Sequence, residues 1–125
     1  MLRPEFLYIE EANFILLDLF RFGNSTSPKL DGVRAFKDVM VTKNNGIEMV
    51  VANGNGISLS STFDPSKRNT WKLSKNTPIP AGLRLVKDLR PGRGDHFMIA
   101  PTSMMPFTKY IGLLQELAVS CKKVS

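Results

Sequence analysis

Cysteine and histidine are almost missing from this chain of 125 residues: Cys121 and His96 are the only representatives of each. One thiol cannot close an intrachain disulfide, and one thiol with one imidazole cannot assemble a zinc site, so no metal is expected. No apolar run approaches the ~20 residues that span a bilayer. The opening stretch MLRPEFLYIEE is broken by Pro4 and by the acids Glu10 and Glu11, where a secretory leader needs an unbroken apolar segment. The chain therefore reads as one domain over residues 1–125, folded in a reducing cytoplasm and not attached to a membrane; export would need a route without a leader. Glutamate is absent between Glu48 and Glu116, and no two acids stand at the close spacing that double-carboxylate hydrolysis uses. Gly92 and Gly94 in PGRGD make neither a dinucleotide fingerprint nor a phosphate loop, and no G-x-S-x-G elbow occurs.

Charge of one sign is also missing from one long stretch. Residues 65–94 hold Lys67, Arg68, Lys72, Lys75, Arg84, Lys87, Arg90 and Arg93 against Asp88 alone, whereas residues 1–64 hold six cations against eight acids. The overall charge of +6 and pI near 9.7 come from that segment. A local cationic stretch suits a polyanion or an anionic ligand such as a nucleotide diphosphate, and equally a solvated basic face. Nucleic-acid binders interleave aromatics with their cations, and only Trp71 lies inside this stretch.

The hydrophobic pattern predicts a β-rich α+β domain. FILLDLFRF at 14–22 suits a mostly buried strand closed by Gly23 and Asn24. VRAFKDVMVT at 33–42 fits a short helix running into a strand. IEMVVA at 47–52 is a strand between the turn clusters NNG and NGNG, whose asparagines and glycines accept positive backbone dihedrals. In residues 56–63, Ile57, Leu59 and Ser61 alternate with Ser58, Ser60 and Thr62, which puts a row of hydroxyls on one face of a strand. GLRLV at 82–86 and HFMIA at 96–100 read as further strands. Phe107, Tyr110, Ile111, Leu114, Leu117, Ala118 and Cys121 recur at helical spacing, so a C-terminal amphipathic helix buries one face. Thr102 or Ser103 can cap it, with Pro106 in its first turn.

Few residues have the chemistry for a site. Arg21, at the end of the first strand, is either an exposed strand-end cation or a partly buried guanidinium whose fork holds a phosphate or ribose. Serine is a poor strand former, so Ser58, Ser60, Ser61 and Thr62 either face solvent or hydrogen-bond a ligand. His96 opens a strand just after a basic glycine loop. Asp95 beside it should point to the opposite face unless the strand is bulged. Cys121 falls on the apolar helix face and reads as packing.

Several segments recur in a fixed order: Phe20-Arg21, then Ser58-x-Ser-Ser-Thr-Phe-Asp64, then Ile79-Pro-x-Gly-Leu-x-Leu85, then His96-Phe-Met-Ile-Ala-Pro101, then a helix with Met105 and Tyr110. That order resembles the small Tse-type (Tse-two-like) effector toxins of bacterial type VI secretion, whose fold is that of ADP-ribosyltransferases. The resemblance spans residues 14–119 and implies a compact ADP-ribosyltransferase-like β-rich core with a C-terminal helix. It implies that Arg21 contacts the phosphates and ribose of NAD, that Ser60 and Ser61 brace the nicotinamide pocket, that Arg34 is a second NAD-binding arginine, and that His96 completes the set. Phe63, with Phe97, would wall the nicotinamide. Catalysis is thus expected of Arg21, Ser60, Ser61 and His96, and NAD binding of Arg21, Arg34, Ser60 and Phe63. The implied function is a cytotoxic effector acting on NAD in the target-cell cytoplasm, by ADP-ribosyl transfer or NAD cleavage, with an acceptor macromolecule and a cognate immunity protein as partners. The family's usual late-strand glutamate has no counterpart here; Asp95 is the nearest acid. Two other functions fit: a nucleic-acid-binding module using residues 65–94, and transfer of a phosphate from RNA to NAD on the same fold.

Overall fold

The computed structural model describes residues 14–89, 91–92 and 94–125. The N-terminal acids and two cations of the basic stretch, Arg90 and Arg93, lie outside the described residues. The elements run β1 (Leu19–Phe22), β2 (Val41–Asn44), β3 (Ile47–Val50), β4 (Ile57–Ser60), β5 (Thr70–Leu73), β6 (Leu83–Lys87), β7 (His96–Pro101), β8 (Met105–Pro106), α1 (Phe107–Ala118) and β9 (Lys122–Lys123). A six-stranded antiparallel sheet has the order β6-β7-β4-β1-β5-β9, and a three-stranded one has the order β2-β3-β8. With a single helix in addition, the expected α+β architecture stands. No helix among the described residues is long and apolar enough to cross a membrane.

Alternation decides which face of the large sheet meets the core. Ile57 and Leu59 of β4 pair with Ile99 and Phe97 of β7, and Leu85 of β6 pairs with Ile99. These side chains join Leu19, Leu73, Tyr110, Leu114 and Leu117 in one buried cluster, each large apolar group contributing about 1.5–3 kcal/mol by leaving water. The opposite face carries Ser58, Ser60 and His96, and beside them a small buried group of Val86, Met98 and Ala100. Helix α1 lies against β3 and β8 of the three-stranded sheet.

Local chemistry explains the turns. Asn45 and Gly46 both adopt positive φ, 52° and 79°, and close the β2–β3 hairpin in two residues, the twist that such a hairpin prefers. Gly56 is required for another reason: a Cβ there would stand 2.0 Å from the Ile99 carbonyl oxygen.

Several elements differ from expectation. The first strand is confined to Leu19–Phe22, and Phe14 makes only an isolated bridge to Pro78. Residues 33–40 form no helix; a tight turn bridges Ala35 to Val39 and holds the exposed Phe36 at φ 65°. The Asp38 carboxylate accepts from the Arg34 amide, a local bond that competes with helix. Neither Thr102 nor Ser103 caps α1, because Pro106 occupies the cap position and has no side-chain oxygen to accept from the first amides. Helix α1 ends at Ala118, and Cys121 is buried in the turn beyond it. Burial pushes the Cys121 thiol up to about 11.

Tyr110, fully buried, donates its hydroxyl to the Ile99 carbonyl at 2.6 Å and accepts from the Ile57 amide at 3.1 Å. It thereby fixes α1 to β4 and β7 at a pair of residues that face each other in register. Tyr110→Phe leaves both backbone groups without that partner and is expected to lower stability by about 1–3 kcal/mol, read from denaturant midpoints. Burial also holds the phenol above its ordinary value of 10.0. The folded state thus keeps a proton that the unfolded chain sheds, so stability falls as pH rises beyond about 10. In Tyr110→Phe that alkaline decline is expected to flatten.

Candidate active site

The site grows from β4. Ser58 and Ser60 point away from the core that Ile57 and Leu59 enter, so the hydroxyl row expected from the sequence lies on the free face. Register sets its neighbours: Phe20 of β1 faces Ser60, and Ser60 faces His96 of β7. The ladder between β1 and β4 is formed at Phe20 and Ser60. Past that pair the Arg21 side chain spans the two strands. Its Nη1 donates to the Ser58 carbonyl at 2.9 Å and its Nη2 to the Lys29 carbonyl at 3.2 Å. Its Nε is buried without a hydrogen bond. Desolvation lowers the Arg21 pKa; Asp38 opposes that shift and Arg34 adds to it. A guanidinium keeps its charge under such a shift, so a half-buried cation with a spare donor stands at this gap.

His96 is held at both ring nitrogens. Nδ1 lies 2.7 Å from Oδ2 of Asp88, and Nε2 lies 2.9 Å from Oγ of Ser58. The Asp88 side chain has 0% exposure and that of His96 20%. Backbone pairing supports the contact, the Asp88 amide donating to the His96 carbonyl at 3.0 Å. An ionised carboxylate only accepts, so in the neutral imidazole that pairs with it Nδ1 carries the proton and Nε2 accepts from the Ser58 hydroxyl. Serine, imidazole and buried carboxylate thus form one chain of hydrogen bonds, the arrangement that turns a hydroxyl into a nucleophile or a proton relay.

These groups line a cleft of about 260 Å³, bounded by Phe20, Arg21, Phe22, Ser58, Leu59, Ser60, Thr62 and His96. That volume lies just below the roughly 300–1,000 Å³ of sites that enclose whole drug-sized ligands. Phe63 packs on Phe20 with ring centroids 5.2 Å apart.

Of the residues expected from sequence, Arg21, Ser60 and His96 share this cleft. Ser61 is not in its wall; its amide donates to the Asp95 carbonyl. Arg34 is 67% exposed and pairs with Asp38 at 3.4 Å, outside the cleft wall. Phe63 reaches the site through Phe20, whereas Phe97 is buried in the main core, with Lys87 Nζ 4.7 Å from its ring centroid. Asp95 does reach the hydroxyl row despite the parity argument, because it precedes β7: Ser60 Oγ donates to its Oδ2 at 3.3 Å. Ser58 and Asp88 were not singled out from the sequence. Ser58 belonged to the hydroxyl row with nothing to separate it from Ser60. Asp88 carried a usable signal, being the lone acid among eight cations. Among the described residues, no group of three or more His, Cys, Asp or Glu is placed to hold a metal ion.

A family model described as Tse2 ADP-ribosyltransferase toxin matches residues 18–125. No curated protein and no solved structure matches the chain.

Arg21→Gln removes a charged donor from two backbone carbonyls. It is expected to lower stability by about 2 kcal/mol and to weaken pyrophosphate binding in a calorimetric titration, while far-ultraviolet circular dichroism stays that of the wild type.

Proposed function

The chain belongs to the Tse2 ADP-ribosyltransferase toxin family, and on that premise we propose that it is a cytotoxic effector that takes NAD as its substrate in the cleft between β1, β4 and β7. The observation that carries this reading is the convergence of Arg21, Ser58, Ser60 and His96 on one cleft. Arg21 lines the cleft and supplies a cation for the diphosphate, a group that guanidinium forks recognise well. The hydroxyls of Ser58 and Ser60 face the space a ribose would fill, and the stacked Phe20 and Phe63 offer an apolar wall to the nicotinamide ring. Cleavage of the nicotinamide–ribose bond builds positive charge on the sugar, as in glycoside cleavage. Oriented dipoles and a nearby carboxylate stabilise that charge. Asp95, held against Ser60, and Asp88, held against His96, are the acids that reach the cleft through a neighbour.

The site of action is the target-cell cytoplasm, and the products are an ADP-ribosylated acceptor or free ADP-ribose. A cognate immunity protein rich in acid complements the basic stretch 65–94. That stretch does not make one continuous stripe: Lys72 lies on β5 and pairs with Asp18 at 3.8 Å, and Lys87 lies on β6 with its ammonium on the Gly94 carbonyl. Three strands separate β5 from β6. The cleft therefore supports a small-molecule substrate better than these cations support a nucleic acid.

Proton NMR of NAD with the purified protein tests the reading. Free nicotinamide, or saturation transfer to the adenine protons, is expected for the wild type and should vanish in folded Arg21→Ala and His96→Ala. Absence of both contact and turnover would sink it. A cyclic phosphate product formed when RNA is added would move the chemistry to RNA phosphate transfer onto NAD.

A further inference from the structure

Among the described residues, the cleft wall presents hydroxyls and one imidazole but no carboxylate, so the covalent acceptor they offer is a hydroxyl. We propose that Ser58 Oγ is a nucleophile that accepts the ADP-ribosyl group itself, which makes Ser58 a self-modification site; this rests on the NAD reading above. Three observations single out this serine. Its Oγ stands 2.9 Å from His96 Nε2, and His96 Nδ1 stands 2.7 Å from Asp88 Oδ2. Asp88 is buried with no side-chain exposure, so its negative charge acts on the imidazole without competition from water. Ser60 is otherwise engaged, since its Oγ donates to Asp95 and accepts from the Thr62 amide.

The step balances without any further reactant. The Ser58 oxygen attacks the anomeric carbon that bears nicotinamide, and an Oγ–C bond forms. The C–N bond breaks, and its electron pair passes to the pyridinium nitrogen, which leaves as neutral nicotinamide. The hydroxyl proton moves to His96 Nε2, and Asp88 stabilises the imidazolium so formed. His96 is the general base. Asp88, which acts on the reaction through His96, is a positioning residue. A serine alkoxide is a far poorer leaving group than a carboxylate, so the acetal persists long enough to be isolated.

Incubation of the full chain with NAD, followed by intact-protein mass spectrometry and fragmentation mapping, provides the test. The expected result is a gain of one ADP-ribosyl group per chain, mapped to Ser58, with nicotinamide released in parallel. Ser58→Ala should lose the adduct and slow nicotinamide release by roughly 10²–10⁴-fold. Asp88→Asn should keep the fold but reverse the imidazole tautomer, slowing adduct formation by about 10²–10⁴-fold and changing its pH profile; a merely structural Asp88 would leave that profile where it was. Nicotinamide released with no adduct on Ser58, and released as fast by Ser58→Ala, would overturn the proposal and leave the NAD reading intact. No nicotinamide from the wild type would overturn both.

Discussion

One buried phenol organises the centre of this molecule. The Tyr110 hydroxyl accepts from the Ile57 amide and donates to the Ile99 carbonyl, so a helix that lies against the small sheet also fixes two adjacent strands of the large one. The pair it joins borders the chemistry, with Ser58 one residue beyond Ile57 and His96 three before Ile99 on the paired strand. Gly56 lets the backbone of β4 approach the Ile99 carbonyl closely enough for this to happen. A buried hydroxyl that satisfies two main-chain groups at once leaves little freedom at either. The serine and the histidine inherit their spacing from it.

The free face of β4 then acquires its function from what its neighbours supply. From one side comes a buried carboxylate, delivered by the residue that follows β6 and turned onto His96. From the other comes a guanidinium, anchored on two carbonyls. The acid and the cation stand on opposite flanks of the same hydroxyl row, which separates charge across the cleft.

Much of this was legible in the sequence. Strict alternation in residues 57–60 placed two serines on one face and two aliphatics on the other, because a strand offers only those two faces. The helical spacing from Phe107 to Leu117 likewise fixed α1. What the sequence could not show was register. Whether Ser58 or Ser60 meets His96 depends on which residues face each other across β4 and β7 and on which way each side chain leans, and neither is written in the composition of either strand. The same holds for Asp88, whose partner lies on the neighbouring strand. The turn at 33–40 was misjudged for a local reason: the Asp38 carboxylate accepts from a backbone amide four residues earlier, and that bond closes a turn where apolar spacing suggested a helix. The short strands β8 and β9, two residues each, exist only through their partners and carry no pattern of their own.

Arg21 stands under a competition that bears on affinity. Each of its two terminal nitrogens gives one N–H to a main-chain carbonyl, of Ser58 and of Lys29, and its Nε is buried without a hydrogen bond. Nε is buried, so an anion meets this fork at the remaining N–H groups of the terminal nitrogens. An anion that draws those nitrogens toward itself strains the two main-chain bonds, so its measured affinity is the difference between what it gains and what the sheet loses. Ligand grip and strand cohesion are therefore linked through a single side chain, and strengthening one weakens the other.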